Sequence, residues 1–240
     1  MHKIIEELKI KIFADGADLT NMRRLTKNPI IKGFTTNPTL MRKSGIEDYA
    51  AFAKEVVSAI PNHPVSFEVF ADELTHMFDQ AKKIASWGEN VNVKIPITNT
   101  KGEQTTNVIE ALSKEGVQVN VTAVFTIDQV RAITDVLHED TSAIVSVFAG
   151  RIADTGIDPV PLMNEAAAIL ANKPKAELLW ASPRELFNIF HAESSGTHII
   201  TVAHDLLEKM SLIGKDLSQY SLETVQMFYT DALDAQYSIS

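Results

Sequence analysis

Short runs of β-branched and other apolar residues recur along the chain about 25 to 30 residues apart, and a segment with helical spacing of apolar positions follows each run. This alternation predicts repeated strand–helix units and a parallel sheet. Ser182 with Glu185 predicts a capping box, and Pro161 suits a first helical turn. The predicted strands cover residues 10–15, 31–36, 65–70, 91–96, 117–124, 143–150, 176–181 and 197–203.

Eight strands are the number that closes a (β/α)8 barrel, the TIM-barrel form of the α/β class. An open doubly wound sheet is the competing architecture, but no glycine-rich turn of the dinucleotide or P-loop kind follows the first strand. No linker-like segment interrupts the pattern, so residues 1–240 are predicted to form a single barrel domain, with 217–240 as an extra C-terminal helical tail. The other predicted helices span residues 18–27, 46–59, 73–87, 104–115, 126–137, 161–171, 183–193 and 204–211.

The alternation within each strand predicts which side chains fill the barrel. In a parallel barrel, alternate residues face the helices while the others point inward, and chemistry concentrates at the C-terminal ends of the strands. In the segment VNVKIP the apolar residues take the helix-facing positions, which directs Asn92 and Lys94 inward. The other inward or strand-end positions are Asp15, Asn37, Ser66, Glu68, Asn120, Thr122, Ser146 and Phe148. A cation and two carboxylates are therefore expected at one end of the cavity.

Lys94 needs an explanation, because a buried ammonium is costly unless it is paired or deprotonated. One interpretation is a structural ion pair with Glu68 or Asp15. The other is a Schiff-base lysine, since desolvation favours the neutral amine that attacks a carbonyl. The position of Lys94 alone leaves both open.

Composition narrows the classes of partner. The chain has 240 residues, of which 45% are hydrophobic, so it can bury a full-sized core, and it has no cysteine for a disulfide or a thiolate metal site. Its net charge of −9 disfavours a nucleic-acid-binding surface. No segment approaches membrane-spanning length, and the first residues lack the apolar core of a signal peptide. We therefore expect a cytoplasmic protein with a small-molecule substrate and neither a nucleic-acid nor a membrane partner.

Seven short motifs, in the order of the predicted strands, give the chain a resemblance to a known family. They are FAD at 13–15, TTNPT at 35–39, Glu68 in VSFEV, KIPIT at 94–98, NVTAVFT at 120–126 with Gln129, SVFAGR at 146–151 and ASPR at 181–184. On these motifs the chain resembles the transaldolases, especially the shorter transaldolase and fructose-6-phosphate aldolase-like members. The resemblance runs across the whole predicted barrel.

The resemblance implies a class I aldolase-type mechanism with no cofactor and no metal. Lys94 would form the Schiff base with a ketose phosphate. Glu68 would act as general acid and base through a water that Thr122 helps to hold. Asp15 would take part in proton transfer during C–C cleavage.

The resemblance also implies substrate-binding roles. Residues expected to bind sugar hydroxyls are Asn37, Asn120 and Ser146, and those expected to bind phosphate are Arg151, Ser182 and Arg184. Each short polar side chain has a plainer interpretation in strand-end or turn hydrogen bonding, and each arginine in a solvated surface charge. The arginines follow the sixth and seventh predicted strands, where barrels commonly bind phosphate, and this favours the ligand role.

Glu68 and Phe148 resemble the transferase branch of the family, because the fructose-6-phosphate aldolase branch carries Gln and Tyr there. The implied reaction moves a dihydroxyacetone unit from sedoheptulose 7-phosphate or fructose 6-phosphate to an aldose phosphate, which is pentose-phosphate-pathway chemistry. Family members usually have other residues where this chain has Gly16, Val147 and Ala149. Aldolase-like cleavage, or transfer from a modified ketose such as a sulfonated one, therefore stays open. Family members also assemble, so a homo-oligomer is expected.

Two other classes of function compete with this interpretation. A metal-dependent aldolase would need several His or acidic ligands at strand ends, yet only His204 among the seven histidines ends a predicted strand. A non-catalytic barrel is the second alternative, since a fold does not guarantee chemistry. The combination of Lys94, Glu68, Asp15 and Thr122 argues against it.

Overall fold

The computed structural model describes Ile5 and residues 7–239, and it contains a parallel strand in each of the eight predicted segments. In chain order these are β1 (Lys11–Asp15), β2 (Ile31–Thr35), β3 (Val65–Glu68), β4 (Val91–Pro96), β5 (Val119–Val124), β6 (Ala143–Val147), β7 (Ala176–Trp180) and β8 (Ile199–Ala203). Each strand pairs with the next, and β8 pairs with β1, so the sheet closes. The prediction of a (β/α)8 barrel is confirmed.

Both faces of the strands are buried, as expected for a parallel sheet with helices outside and side chains within. On β4 the apolar residues Val93 and Ile95 are fully buried, and the polar residues between them, Asn92 and Lys94, are buried as well. At the centre of the barrel lies an apolar cluster formed by Phe13, Ile144, Leu179, Ala181 and Ile199. This cluster fills part of the interior, as side chains do in barrels of this kind.

Helices connect the strands and cover the outside of the barrel. They are α1 (Leu19–Leu25), α2 (Pro38–Lys43), α3 (Tyr49–Ala59), α4 (Leu74–Ala85), α5 (Thr106–Lys114), α6 (Ile127–Val136), α7 (Ala149–Asp154), α8 (Pro159–Leu170), α9 (Asn188–Ser194) and α10 (His204–Glu208). Later in the chain come a 3₁₀ turn at Lys209–Leu212 and α11 (Leu217–Asp234), which belong to a separate unit. The first turn of α8 contains Pro161, as predicted. The short helices α2 and α7 were not predicted, because six residues are too few for a helical period to stand out.

Two predicted boundaries around the sixth and seventh strands are wrong. β6 ends at Val147 rather than at residue 150, because the chain turns at Phe148 into α7. The capping box of Ser182 and Glu185 does not form, since α9 begins only at Asn188 and Ser182 has a left-handed φ of 57°. The Asn188 Oδ1 atom instead accepts hydrogen bonds from the backbone N–H groups of Arg184 and Glu185, which shapes the loop after β7.

Lys9–Leu207 form one compact unit, which contains the barrel, and the described parts of residues 1–8 and 208–240 belong to a second. In the second unit, α11 begins at the N-cap residue Asp216, which accepts a hydrogen bond of 2.8 Å from the N–H of Gln219. No helix in the described part of the chain is both long and apolar enough to cross a membrane. The assignment of residues 1–240 to a single domain stays a prediction, and its positions 1–4, 6 and 240 lie outside the described residues.

Gly150 marks a close approach between α7 and the loop that follows β7. Its backbone N–H donates to the Ala181 carbonyl at 3.2 Å, and a Cβ atom added to Gly150 would lie 1.5 Å from the Ser182 carbonyl oxygen. Since that oxygen belongs to the backbone, a larger residue would displace the whole loop. The glycine therefore determines how closely α7 and the loop after β7 meet at the C-terminal end of the barrel.

We predict that Gly150→Ala lowers the free energy of unfolding by about 1–3 kcal/mol, the usual range for overpacking a filled site. Urea unfolding followed by circular dichroism measures this loss. Gly45→Ala is the control, because its Cβ would meet no atom within 4 Å and only its φ of 71° opposes the change. A Gly150→Ala protein that unfolds at the wild-type urea concentration would contradict the close packing.

Candidate active site

Lys94 is buried inside the barrel and forms an ion pair with the partly buried Glu68. The strand register places Lys94 level with Glu68 on β3 and Asn120 on β5. Its Nζ atom lies 3.1 Å from Glu68 Oε2 and donates to the Thr36 carbonyl oxygen at 3.0 Å, while the residue is only 7% exposed. Two of the three donor positions of the ammonium therefore have partners. The predicted inward direction of Lys94 and Glu68 is confirmed.

Asp15, at the C-terminal end of β1, is a second acid near this pair. Its Oδ1 atom accepts a hydrogen bond of 2.7 Å from Thr35 Oγ1, and the Thr35 hydroxyl also hydrogen-bonds that of Thr201. Burial raises the pKa of Asp15, and this effect exceeds the lowering by the Lys94 charge and by the Thr35 hydrogen bond. The carboxyl group therefore keeps its proton to higher pH than an exposed aspartate, as suits a group that takes part in proton transfer.

The backbone of Glu68 is held by Tyr49, at the start of α3. The Tyr49 hydroxyl accepts a hydrogen bond from the Glu68 N–H and donates one to the Glu68 carbonyl, both at 2.8 Å. Burial raises the pKa of Tyr49, so the phenol stays protonated and can keep donating. The Tyr49 ring packs edge-on against Phe67 and Phe70. These contacts fix the strand end from which Glu68 reaches Lys94.

A buried chain of hydrogen bonds orients the Asn120 amide. Ser146 Oγ donates to Asn120 Oδ1 at 2.6 Å, and Asn120 Nδ2 donates to Ser66 Oγ at 3.0 Å. All three residues are at most 3% exposed, so water does not compete with these bonds. Asn120 keeps one further N–H, and Ser146 keeps its oxygen lone pairs, for a ligand.

A β-bulge occurs at the end of β5, where Thr122 lies. Val121 pairs with Val145 and Val124 pairs with Val147, so Thr122 and Ala123 together oppose one residue of β6. Ala123 has a left-handed φ of 57°, which non-glycine residues rarely adopt. No described residue hydrogen-bonds the buried Thr122 hydroxyl, so this group can hold a water molecule or a substrate hydroxyl.

Phe148 and Asn37 lie at the starts of short helices at the same end of the barrel. The Phe148 side chain packs on the apolar cluster inside the barrel, and its ring centroid is 5.6 Å from that of Phe125. Asn37 is the N-cap of α2, and its Oδ1 atom accepts a hydrogen bond of 3.0 Å from the Leu40 N–H. The plainer interpretation of Asn37 as a turn residue therefore has structural support, and only its Nδ2 atom remains for a ligand.

The predicted phosphate ligands lie on α7, after β6, and on the adjacent loop after β7, but Arg184 already has an anionic partner. Its guanidinium group makes two hydrogen bonds to the Asp154 carboxylate, one of them 3.0 Å from Nε to Oδ1. Arg151 is exposed, and its Cζ atom lies 5.3 Å from the centre of the Phe148 ring. A phosphate bound here would meet Arg184 in competition with Asp154.

Sequence reasoning missed Thr36, Tyr49, Thr35 and Thr201. Thr36 and Tyr49 act on or through backbone atoms, for which no residue pattern exists. Thr35 faces inward like Asp15, and the alternation along the second strand is the signal that would have found it.

His204 follows β8, and a Cβ on Gly16 would come within 3.1 Å of its Nε2 atom. In the residues that the structure describes, no group of three or more His, Asp and Glu side chains is arranged to hold a metal ion.

Comparison with known proteins then decides the family. A family model described as transaldolase/fructose-6-phosphate aldolase matches residues 12–239. The chain belongs to this family. A probable transaldolase of Dehalococcoides mccartyi is 35% identical over 202 residues, which cover 84% of this chain and 90% of that protein. The probable transaldolase 2 of Listeria monocytogenes is 33% identical, with 84% and 88% covered.

A solved structure supports the fold alone. The crystal structure of KGPDC from Streptococcus mutans aligns with a TM-score of 0.57 at 11% identity and covers 84% of this chain and 91% of that one. At that identity the likeness concerns the barrel architecture. The family resemblance stated from the motifs is thus confirmed for the transaldolase/fructose-6-phosphate aldolase family, while the roles of individual residues stay predictions.

The raised pKa of Asp15 predicts how stability depends on pH in this member of the transaldolase family. The unfolded chain releases the proton first, near the ordinary value of 3.8, so the folded state loses stability as pH rises from there through the raised pKa. Asp15→Asn keeps an acceptor for Thr35 but removes this loss. The gain in unfolding free energy of Asp15→Asn over wild type should therefore be larger at pH 7 than at pH 4.

Urea unfolding at the two pH values measures this difference. Asp79→Asn, at an exposed position on α4, controls for the general loss of a negative charge. A gain that is the same at both pH values, or equal in the two variants, would contradict the burial effect on Asp15.

Proposed function

We propose that this protein is a transaldolase that transfers a dihydroxyacetone unit from fructose 6-phosphate or sedoheptulose 7-phosphate to an aldose phosphate through a Schiff base on Lys94. The observation that carries the proposal is the ion pair of Lys94 and Glu68, 3.1 Å apart at the C-terminal ends of neighbouring strands. A purely structural ion pair would not need a second acid with a raised pKa beside it, yet Asp15 is such an acid.

The first step of the proposed reaction forms the imine. Lys94 loses a proton to Glu68, and the free amine attacks the C2 carbonyl of the ketose to give a carbinolamine. Loss of the hydroxyl group as water leaves a protonated imine on Nζ. Glu68 supplies the proton for this departing water, and the unpartnered Thr122 hydroxyl holds the water near it.

The second step breaks the bond between C3 and C4 of the donor. Asp15 accepts the proton of the C4 hydroxyl, the C3–C4 bond breaks, and its electrons move into the imine to form an enamine. The aldose phosphate then leaves as an aldehyde. An acceptor aldehyde is attacked by the enamine in the reverse sense, with Asp15 returning the proton, and hydrolysis of the new imine releases the product.

Hydrogen-bond capacity supports the proposed positions of the sugar hydroxyls. The remaining N–H of Asn120 and the oxygen of Ser146 are pre-oriented by the buried hydrogen-bond chain, so binding a hydroxyl there requires little reordering. Asn37 contributes its Nδ2 donor. These three groups lie on β5, on β6 and directly after β2, on different sides of Lys94.

Phe148 supports transfer over simple cleavage. Its ring packs on the apolar interior beside Phe125 and offers no proton to the enamine. An enamine that is not protonated survives until an acceptor aldehyde binds, which is the condition for transfer. Direct aldol cleavage and the use of a sulfonated ketose are the alternatives, while the homo-oligomer and the cytoplasmic location remain predictions.

We expect Lys94→Met to abolish formation of sedoheptulose 7-phosphate from fructose 6-phosphate and erythrose 4-phosphate, because methionine fills the site but cannot form an imine. A coupled assay or product chromatography measures the loss. Lys54→Met, at an exposed position on α3, is the matched control and should keep wild-type turnover. Transfer activity in a folded Lys94→Met protein would refute the proposal.

The phosphate role of Arg184 leads to a second expectation for substrate affinity. Arg184→Ala should raise the KM for fructose 6-phosphate about tenfold, with less effect on unphosphorylated fructose, because a charge-assisted hydrogen bond is lost. Asp154→Asn should lower the KM for the phosphorylated donor, since the competing carboxylate is removed. Equal effects of Arg184→Ala on both donors, measured by initial rates, would exclude the phosphate contact.

A further inference from the structure

The N-terminal end of the barrel, opposite the candidate active site, contains an open cavity of about 680 Å³. Residues at or just before the first residues of the strands line it, and Phe13 and Ile144 of the apolar cluster form its inner wall. The cavity is large enough for a small metabolite, since ligand pockets usually measure about 300–1,000 Å³. Every lining residue belongs to the barrel unit Lys9–Leu207.

Cationic and donor side chains follow one another around one side of this cavity. Lys175 precedes β7, His198 precedes β8, Lys11 begins β1 and Lys32 lies in β2, and these four strands are consecutive neighbours in the closed sheet. Glu177 is the single carboxylate among the lining residues. With the Asp140 carboxylate, which lies 3.8 Å from Lys175 Nζ, three lysines face two acids, so one positive charge is left over there, although the whole chain has a net charge of −9.

Two of these lysines, Lys11 and Lys175, already have acceptor partners in the protein, whereas Lys32 is available to bind a ligand. Lys11 is paired with Glu177 at 2.8 Å. Lys175 donates to the Asp140 carbonyl oxygen at 2.7 Å and lies 3.8 Å from the Asp140 carboxylate. No acidic side chain among the described residues pairs with Lys32, which is exposed at the rim. Lys32 can therefore bind a ligand without first breaking an ion pair.

Asn92, in the wall of this cavity, has an amide that no described residue hydrogen-bonds. The residue is only 5% exposed, and no described residue forms a hydrogen bond with its side chain. The amide atoms of Asn92 are not among the fully enclosed polar atoms that lack a partner, so the amide opens onto the cavity. Asn92 is not used by the proposed reaction, which takes place around Lys94, two residues further along β4. Its amide is therefore free to donate a hydrogen bond to a polar ligand in this cavity.

His198 adds an imidazole N–H donor to the cavity, and a hydrogen bond determines which ring nitrogen carries that hydrogen. Its Nδ1 atom accepts a hydrogen bond of 2.9 Å from the Leu178 N–H, so the neutral ring carries its hydrogen on Nε2. The cavity thus combines three ammonium groups, one imidazole N–H and the amides of Asn92 and Gln118, of which Gln118 already donates to the Glu89 carbonyl. These are donors that match the oxygens of a multiply charged anion.

We propose that the N-terminal end of the barrel binds a small oxyanion with at least two negative charges, of the kind presented by phosphate and diphosphate groups. The ammonium groups of Lys32, Lys11 and Lys175 supply the attraction, and the Asn92 amide hydrogen-bonds an oxygen at the cavity wall. This site is separate from the catalytic end and does not depend on the proposed reaction.

Isothermal titration calorimetry with inorganic pyrophosphate tests this site at constant ionic strength. The full-length Arg184→Ala protein is used, so that the proposed phosphate contact at the catalytic end is weakened. In that protein we expect saturable binding, which Lys32→Gln weakens about tenfold. Lys54→Gln removes the same charge from an exposed position on α3 and should leave the affinity unchanged. Absence of binding, or equal losses from the two lysine substitutions, would overturn the proposal.

Asn92→Leu provides a test that does not depend on surface charge. The substitution should weaken pyrophosphate binding without lowering the urea midpoint, because the amide has no protein partner to lose. Unchanged pyrophosphate affinity in a folded Asn92→Leu protein would overturn the role of the amide. A lowered urea midpoint would equally count against the proposal, since it would mean that the amide is satisfied within the fold.

Discussion

The ammonium of Lys94 and the carboxylate of Glu68 lie 3.1 Å apart inside the barrel, and the arrangement of the surrounding residues depends on keeping this pair satisfied. Removing one partner of a buried pair typically costs about 3–5 kcal/mol, because the other charge is left uncompensated. The Thr36 carbonyl accepts a further hydrogen bond from Lys94, and Tyr49 holds both backbone groups of Glu68. Hydrogen bonds and packing contacts from β2, β3, β4 and α3 therefore hold this one ion pair in place.

Burial also changes the acid strength of the neighbouring carboxyl group, that of Asp15. Asp15 is desolvated more than the Lys94 charge and the Thr35 hydroxyl can offset, so its pKa is raised. Two acids near one amine thus have different surroundings, since Glu68 contacts Lys94 directly and Asp15 is held by a hydroxyl group. Such a difference suits one group to exchange protons with the amine and the other with the substrate.

The sequence was sufficient for the barrel and for the inward direction of Lys94, Glu68 and Asn120, because strand alternation has a strict period of two and apolar runs mark the strands. It was insufficient where backbone atoms decide the geometry. The left-handed conformations of Ala123 and Ser182 leave no residue pattern, so the bulge beside Thr122 and the late start of α9 were not predicted. Contacts between distant segments, such as Arg184 with Asp154, have no local pattern either.

Reductive trapping tests the central claim, that Lys94 forms an imine with the donor, most directly. The protein is incubated with fructose 6-phosphate and sodium borohydride, digested, and analysed by mass spectrometry for a reduced adduct. The account predicts an adduct on the peptide that contains Lys94, formed only when donor is present and accompanied by loss of transfer activity. An adduct on a different lysine, or full activity after the same treatment, would contradict it.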